Sequence, residues 1–290
     1  MILHKLVRDV AQRLRSARLH YGHGTANSHD EAAFLVLRGL KLPFDAPADR
    51  PVSRLEQARI ERLLQRRMRE RIPVAYLLKE AWLAGQSFYV NRRVIVPRSH
   101  IAELLAHEGL RPWLHRPVRH VLDLCTGSGC LAVLAAQAFP RAAVDASDLS
   151  SAALAVAARN VARHRLRARV QLAPADLYSA FRGKRYDLIV ANPPYVGAAC
   201  MNALPREYLH EPRLALAAGE DGLEFVRRII AQAFERLEPR GLLVCEIGNN
   251  RKALERAFPR TPFAWPQTAA GTGQVFLLSR ADLPRGENVG

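Results

Sequence analysis

From residue 118 onward the chain alternates apolar segments of strand length with amphipathic segments of helix length. The apolar segments are short and continuous, as in "VRHVLDLC" and "YDLIVA", which is the pattern of strands buried on both faces. The segments between them, such as "SSAALAVAARNVARH", carry apolar residues at helical spacing. Strands and helices that alternate in this way build a mainly parallel sheet covered on both faces, so the sequence predicts an α/β fold.

The first third of the chain has a different pattern, which predicts a small helical domain. Apolar residues recur at helical spacing over residues 2–19, and "DEAAFLVLRGLKL" fits a second helix. Ser53 and Glu56 have the spacing of a capping box and predict the start of a third helix, which Pro73 closes.

A short segment of strand-like periodicity separates these two regions. The stretch "SFYVNRRVIVP" predicts a β-hairpin that turns at Asn91 and Arg92. We therefore expect a helical domain at residues 1–80, a hairpin connector at 81–97 and the sheet domain at 98–290.

The basic residues exceed the acidic ones, and the formal net charge is +16. The excess is densest in the first 97 residues, which hold 18 basic and 9 acidic side chains. This composition suits a surface that docks RNA, and it equally suits a basic face that is only solvated.

Other sequence features exclude several classes of protein. The N-terminus meets charge too early for a signal peptide, and no apolar window has the length of a membrane span, so we expect a cytoplasmic protein without a membrane partner. The cysteines form no C-x-x-C pair and are expected to be free thiols. His20, His23 and His29, with Asp30, fit no zinc pattern, so no metal site is predicted.

A glycine turn follows the first predicted strand of the sheet, in "DLCTGSGCLA". Gly127 and Gly129 let the backbone approach a ligand, although this spacing also fits a dinucleotide site. A carboxylate at Asp123 would repel a pyrophosphate and attract a cationic amino-acid or sulfonium end, which favours S-adenosyl-L-methionine. Asp148, at the end of the second strand, is placed to accept hydrogen bonds from ribose hydroxyls.

A second polar motif follows the strand "YDLIVA", where the chain continues with Asn192, Pro193, Pro194 and Tyr195. The side-chain oxygen of Asn192 and the carbonyl of Pro193 can each accept one N–H of a planar NH₂ group. Its lone pair then points at a methyl donor, and such positioning supplies several kcal/mol of the barrier. Tyr195 is expected to pack on the planar group. We predict these four residues to be catalytic.

The segments "DLCTGSGC", "AVDASDLS" and "IVANPPYV", in this order, resemble class I S-adenosylmethionine-dependent methyltransferases of the N-P-P-Y type. The resemblance implies a Rossmann-like sheet and methylation of an exocyclic or amide nitrogen. It implies a set of cofactor-binding residues, namely Asp123, Cys125, Thr126, Gly127, Ser128, Gly129, Asp148, Asp176, Leu177 and Asn192. We interpret the Cys125 thiol as a packing group and not as a nucleophile.

The flanking segments resemble the glutamine N5-methyltransferases, and within them the branch that acts on ribosomal protein uL3. "LHYGHGTANSHDEAAFLVL" and "LPREYLHEPRLALAAGEDGLEFVRRII" carry this resemblance. The release-factor branch has Pro-Glu-Thr-Glu after the "PR", where this chain has residues 99–102, "SHIA". The resemblance implies that residues 1–80 recognise the substrate protein.

Several alternatives stay open at this point. A release-factor methyltransferase, a DNA or RNA base methyltransferase and a non-catalytic ribosome-assembly protein each use part of the same sequence features. No target-recognition domain of a DNA methyltransferase is visible. A contact with rRNA or an assembly intermediate through the arginine-rich stretch "RIERLLQRRMRER" is a further expectation.

Overall fold

The computed structural model describes residues 1–284 and consists of a helical N-terminal region followed by a sheet with helices on both faces. The helices are α1 (Leu3–Ser16), α2 (Ser28–Gly39), α3 (Arg54–Glu70), α4 (Val74–Leu78), α5 (Ile101–Ala106), α6 (Cys130–Ala138), α7 (Ser151–Arg163), α8 (Ala198–Asn202), α9 (Glu224–Arg236) and α10 (Arg251–Ala257). The strands are β1 (Ala81–Leu83), β2 (Gln86–Phe88), β3 (His120–Leu124), β4 (Ala143–Asp148), β5 (Val170–Pro174), β6 (Tyr186–Ala191), β7 (Leu237–Glu246) and β8 (Val275–Ser279).

The large sheet has the order β5-β4-β3-β6-β7-β8. All neighbouring strands are parallel except β7 and β8, which are antiparallel. The predicted α/β class and the mainly parallel sheet are therefore confirmed. The chain builds outward from β3 through β4 to β5 and then returns to place β6 on the other side of β3. This reversal is the switch point at which α/β sheets bind their ligands, at the carboxyl ends of the strands.

Successive side chains of the central strands enter different hydrophobic cores. In β3, Val121 packs with helices α5 and α6, whereas Leu122 and Leu124 pack with helices α9 and α10 on the opposite face. All six residues of β6 are buried, as the continuous apolar run "YDLIVA" predicts. The strand that leads to Asn192 is thus held on both faces.

The N-terminal helices begin where side chains cap them. The predicted capping box is present, because Ser53 Oγ accepts from the Glu56 N–H (3.2 Å) and Glu56 Oε2 accepts from the Ser53 N–H (2.8 Å). Helix α2 begins two residues before the predicted "DEAAF" because Asn27 caps it and accepts from the N–H groups of His29 and Asp30.

The connector contains a hairpin, but the hairpin lies at residues 81–88, and the one predicted for "SFYVNRRVIVP" with its turn at Asn91 and Arg92 is wrong. Strands β1 and β2 pair across Ala84 and Gly85, which have φ values of +47° and +72°. Two positive φ values in a two-residue loop match the twist of the flanking strands. Asn91, where the turn was expected, instead accepts from the N–H of Arg93 (2.9 Å) in a local turn of the connector.

The helical region packs directly on the sheet domain. Ala153 and Val156 of α7 belong to the same apolar cluster as helices α1 to α4. The predicted division at residues 1–80, 81–97 and 98–290 remains a prediction, and the last six residues of that range lie outside the described part of the chain. Within residues 1–284, no helix is both long and apolar enough to cross a membrane.

Candidate active site

A cleft lies at the carboxyl ends of β3, β4, β5 and β6, next to the switch point. Six of the residues that we expected to bind a ligand or substrate line this cleft together with Pro194, namely Cys125, Gly127, Asp148, Asp176, Leu177 and Asn192. Parallel strands bring their carboxyl ends to one edge of the sheet, and for this reason residues almost 70 positions apart meet there.

The glycine turn has a left-handed backbone at three positions. Cys125, Gly127 and Gly129 have φ values of +56°, +55° and +77°. A Cβ on Gly129 would lie 3.0 Å from the Cβ of Ala157 in α7, so this glycine is required where two helices approach each other. A Cβ on Gly127 would meet only a carbonyl oxygen at 4.0 Å, which leaves space towards the cleft.

Asp148 connects this turn to the next helix. Its Oδ2 accepts from the Gly127 N–H (2.9 Å), and its Oδ1 accepts from the Ser150 N–H (2.8 Å) at the start of α7. Burial raises the pKa of this carboxyl. Each oxygen keeps a second lone pair, so the carboxylate can still accept hydrogen bonds from hydroxyl groups in the cleft.

Asp123 is fully buried and does not line the cleft. Its Oδ2 accepts from Thr126 Oγ1 (2.5 Å) and from the Ala132 N–H (3.0 Å), while its Oδ1 has no partner among residues 1–284. Burial raises the pKa of this carboxyl to about 7, and the charge of Asp148 adds to the increase. The group therefore changes charge near neutral pH.

Thr126 and Ser128 of the predicted cofactor set are buried and do not line the cleft. The Ser128 carbonyl accepts from Asn160 Nδ2 (2.8 Å), and the Asn160 amide also bonds both backbone groups of Tyr89. Asn160 thus fixes the glycine turn to the connector after β2. Only a three-dimensional contact reveals this role, because Asn160 lies inside a helix pattern in the sequence.

Asp176 and Leu177 reach the cleft from the loop after β5. Asp176 Oδ2 accepts from Arg228 Nη2 (2.6 Å) in a half-exposed ion pair. Leu177 has a positive φ of +50°, and its carbonyl accepts from Ser147 Oγ (3.0 Å). Positive φ at a leucine is a strained conformation, and such strain is concentrated at functional sites.

The Asn-Pro-Pro turn presents unused hydrogen-bonding groups. Asn192 lines the cleft, and its side-chain amide has no hydrogen-bond partner among residues 1–284. The carbonyl of Pro193 likewise receives no hydrogen bond from the described residues. Pro194 lines the cleft, whereas the buried Pro193 does not. Oxygen atoms of both the side chain and the backbone are thus available to a ligand.

Tyr195 is half-buried and does not line the cleft. Its ring packs on Gly248, at which a Cβ would come within 2.8 Å of the ring carbon Cε2. Its carbonyl accepts from Asn250 Nδ2 (2.7 Å). Burial, followed by the charge of Glu246, raises the pKa of the phenol well above its usual value. Tyr195 therefore remains neutral at physiological pH.

Glu246 ends β7 and is fully buried. Its Oε2 accepts from Ser99 Oγ (2.6 Å) and from the His100 N–H (2.9 Å). These bonds hold the beginning of α5, and burial raises the pKa of the carboxyl.

The segment after the Asn-Pro-Pro turn lines the cleft with Pro212, Leu214 and Ala215 and is anchored by Glu211. Both oxygens of Glu211 accept from Arg98, each at 2.6 Å, and Oε1 also accepts from a backbone N–H of the connector. A bidentate pair of this kind fixes orientation as well as position.

Glu207 attaches the same segment to the helical domain. Its Oε1 accepts from Arg67 Nη1 (3.2 Å), and Arg67 Nε donates to Glu31 (2.7 Å). All three side chains are buried, with 3% or less of their surface exposed. The helical domain thus positions a segment that lines the cleft, a role that neither periodicity nor a motif indicates.

The remaining titratable groups show no arrangement for a metal ion. Within residues 1–284, no cluster of three or more His, Cys, Asp or Glu side chains has the geometry to hold one. His23 is buried against Tyr208, with 4.6 Å between the ring centroids, and burial lowers its pKa to about 3. The four cysteines are free, and burial keeps the Cys125 thiol protonated by raising its pKa.

Comparison with known proteins identifies similar chains of nearly the same length. Residues 107–219 match the family model described as Methyltransferase small domain. The chain is 53% identical to the ribosomal protein uL3 glutamine methyltransferase of Bordetella pertussis, which covers 97% of this chain and 96% of the relative. The proteins of the same name from Burkholderia pseudomallei and Neisseria gonorrhoeae are 50% and 48% identical, and each match covers 96% of this chain and 94% of the relative.

Among solved structures, the hMettl16 catalytic domain in complex with MAT2A 3′UTR hairpin 1 has a TM-score of 0.54. The sequences are 17% identical, and the match covers 88% of this chain and 93% of that chain. This similarity concerns the fold alone.

Proposed function

This chain belongs to the family of ribosomal protein uL3 glutamine methyltransferases, and we propose that it transfers the methyl group of S-adenosyl-L-methionine to the side-chain amide nitrogen of a glutamine in uL3. The observation that carries this proposal is the free amide of Asn192 in the same cleft as Asp148 and the glycine turn. A ribosomal substrate also implies that the reaction takes place in the cytoplasm.

The residues present fit S-adenosyl-L-methionine better than a dinucleotide. Asp148 has lone pairs left for ribose hydroxyls, and Gly127 leaves open space beside the turn. The unpartnered Oδ1 of Asp123 is a buried carboxylate oxygen, which suits a nearby cation and opposes a pyrophosphate. When bound, the cofactor supplies a methyl group activated by a sulfonium charge.

The Asn-Pro-Pro turn can orient a glutamine amide for attack. The side-chain oxygen of Asn192 accepts one N–H of the substrate NH₂, and the carbonyl of Pro193 accepts the other. Both oxygens are free of competing donors among the described residues, and both prolines stiffen the turn. The lone pair of the amide nitrogen then points away from both acceptors. The turn would accelerate the reaction by holding the reacting groups in this geometry.

No strong base is needed in this reaction. The nitrogen becomes acidic once it carries the methyl group, so its proton can leave to water. Tyr195 cannot take the proton at neutral pH, because its raised pKa keeps it a neutral phenol. Its role is to support the turn through the Asn250 hydrogen bond and to provide an apolar wall near the amide.

The proposal is tested with labelled S-adenosyl-L-methionine and two purified substrates, uL3 and a peptide release factor. We expect label in uL3, and label in the release factor alone would contradict the assignment. Asn192→Ala should lower turnover by about 100-fold or more while the dissociation constant of the cofactor stays within about threefold. Gln137→Ala removes an exposed amide far from the cleft and serves as the matched control.

A further inference from the structure

A groove with a positive charge lies between the end of α3 and the connector after β2. We call it the basic groove, and it is lined by Arg66, Lys79, Tyr89, Arg92 and Arg93 together with apolar side chains. No acidic residue lines it. None of these five residues has a role in the transfer of the methyl group as proposed above.

The cations of the basic groove are almost entirely uncompensated. Lys79, Arg92 and Arg93 are exposed and have no ion-pair partner within residues 1–284. Arg66 pairs with Glu70 at 3.3 Å, and both side chains are about half exposed, so that pair stabilises little. Unpaired charges of one sign in a concave surface concentrate the electric field and attract a polyanion.

Helix α3 extends this charge along one line. Arg59, Arg62, Arg66 and Arg69 are all exposed and follow each other at intervals of three, four and three residues, which places them on one face of the helix. Arg67, by contrast, points inward to Glu31 and Glu207. The predicted RNA contact of the arginine-rich stretch can therefore involve only the exposed face.

The basic groove opens beside the catalytic cleft. Arg93 lines both of them, and Val94 and Ile95 continue from it along the wall of the cleft. A partner bound in the groove thus lies next to the position of the reacting glutamine. Arg159 of α7 adds a further exposed cation, with its guanidinium 3.7 Å from the centroid of the Tyr89 ring.

We infer that the basic groove binds the phosphates of a single-stranded RNA segment that lies beside the substrate glutamine. The unpaired cations suit phosphates, and the half-buried Tyr89 ring with its stacked guanidinium offers a planar surface for a base. RNA is chosen over an acidic peptide because of this planar surface and because a ribosomal protein is assembled together with rRNA. That second reason rests on the proposed function.

The test uses a variant of the full chain in which Arg66, Lys79 and Arg92 are all replaced by Gln. A matched control replaces Arg141, Arg182 and Arg240, which are exposed near the amino ends of the strands, opposite the cleft. The two variants lose the same charge. Fluorescence anisotropy measures the binding of a labelled RNA of about 12 nucleotides, a length that fits single-strand sites, over a range of salt concentrations. A polyglutamate peptide of similar charge is the second probe.

We expect the groove variant to bind RNA at least tenfold more weakly, and its slope of log affinity against log salt to fall by about two, since each phosphate contact contributes about 0.7. In the control variant, both the RNA affinity and the salt slope should change less than in the groove variant. An equal loss in both variants, or tighter binding of polyglutamate than of RNA, would overturn the inference.

Methyl transfer to free uL3 is measured in parallel and separates the two proposals. The groove variant should methylate free uL3 at the rate of the unsubstituted chain, which also shows that it is folded. If the unsubstituted chain transfers no methyl group to uL3, the proposed function fails. The comparison of RNA binding between the two variants still decides whether the groove is an RNA site.

Discussion

Replacement of Asp123 by Asn should change the pH dependence of stability in a way that can be calculated. Burial raises the pKa of this carboxyl from 3.8 to about 7. The folded state therefore holds the proton more tightly than the unfolded state, and stability falls as pH rises from about 4 to about 7. Between about pH 5 and pH 8 this loss amounts to roughly 2–3 kcal/mol, at 1.36 kcal/mol for each pKa unit.

The measurement is urea unfolding of both proteins without cofactor over this pH range. Asn keeps the size of the side chain and an acceptor for Thr126, but it cannot ionise. The free energy of unfolding of the Asn variant, relative to that of the unsubstituted chain, should increase by roughly 2–3 kcal/mol between about pH 5 and pH 8. A constant difference across that range would refute the assignment of the raised pKa to Asp123. Asp148→Asn serves as the comparison, since burial also raises the pKa of the Asp148 carboxyl, which lines the cleft.

Cofactor binding adds a second readout for the same residue. A cation near the free Oδ1 of Asp123 favours the ionised carboxylate, so binding should release a proton when Asp123 is protonated beforehand. Calorimetry in buffers of different ionisation enthalpy should detect close to one proton released at about pH 6 and almost none at about pH 8.5. Asp123→Asn should abolish this release, and proton release that persists in the variant would contradict the role.

Three further substitutions test how the site is built. Gly129→Ala should lower the free energy of unfolding by about 2–3 kcal/mol, because its Cβ would meet α7 at 3.0 Å; Gly183→Ala has the same φ of +77° with open space around it and should cost about 1 kcal/mol or less. Arg67→Ala leaves the buried Glu31 without a counterion and leaves Glu207 with only the longer pair to Arg71 (3.5 Å), and it should cost about 3–5 kcal/mol in urea unfolding, so a loss below about 1 kcal/mol would count against the buried network. Gly248→Ala places a Cβ 2.8 Å from the ring of Tyr195 and should lower turnover by about tenfold while cofactor affinity is kept, whereas unchanged turnover would show that the ring position does not matter.

Local patterns in the sequence predict the sheet and the location of the cleft. Buried strands such as β6 appear as continuous apolar runs, and the ends of such strands meet at one edge of a parallel sheet. Asp148 and Asn192 line the same cleft for this reason. The capping box of Ser53 and Glu56 was likewise predictable, because it depends on residues three positions apart.

The direction of each side chain at the site could not be predicted in the same way. Thr126 and Ser128 belong to the glycine motif, yet they are buried away from the cleft. Motif spacing fixes the path of the backbone but not which side chains face the ligand. Tyr195 does not line the cleft, and its ring packs on Gly248.

Contacts between distant parts of the chain leave no periodic signal at all. Arg67 and Glu207 are 140 residues apart, and nothing in either local sequence indicates that they meet. The turn of the hairpin was misplaced for a related reason, because Ala84 was not a residue expected to adopt a positive φ. Its conformation follows from the pairing of β1 with β2.

The buried bond between Arg67 and Glu207 has a consequence for protein engineering. Chimeras can be built in which residues 1–80 of one relative are joined to the remainder of another. In this chain, such an exchange would separate Arg67 from Glu207, and it would leave a charged group enclosed without its counterion. A hybrid that keeps this bond must therefore transplant the helices together with residues 203–216, so the structural unit is discontinuous in sequence.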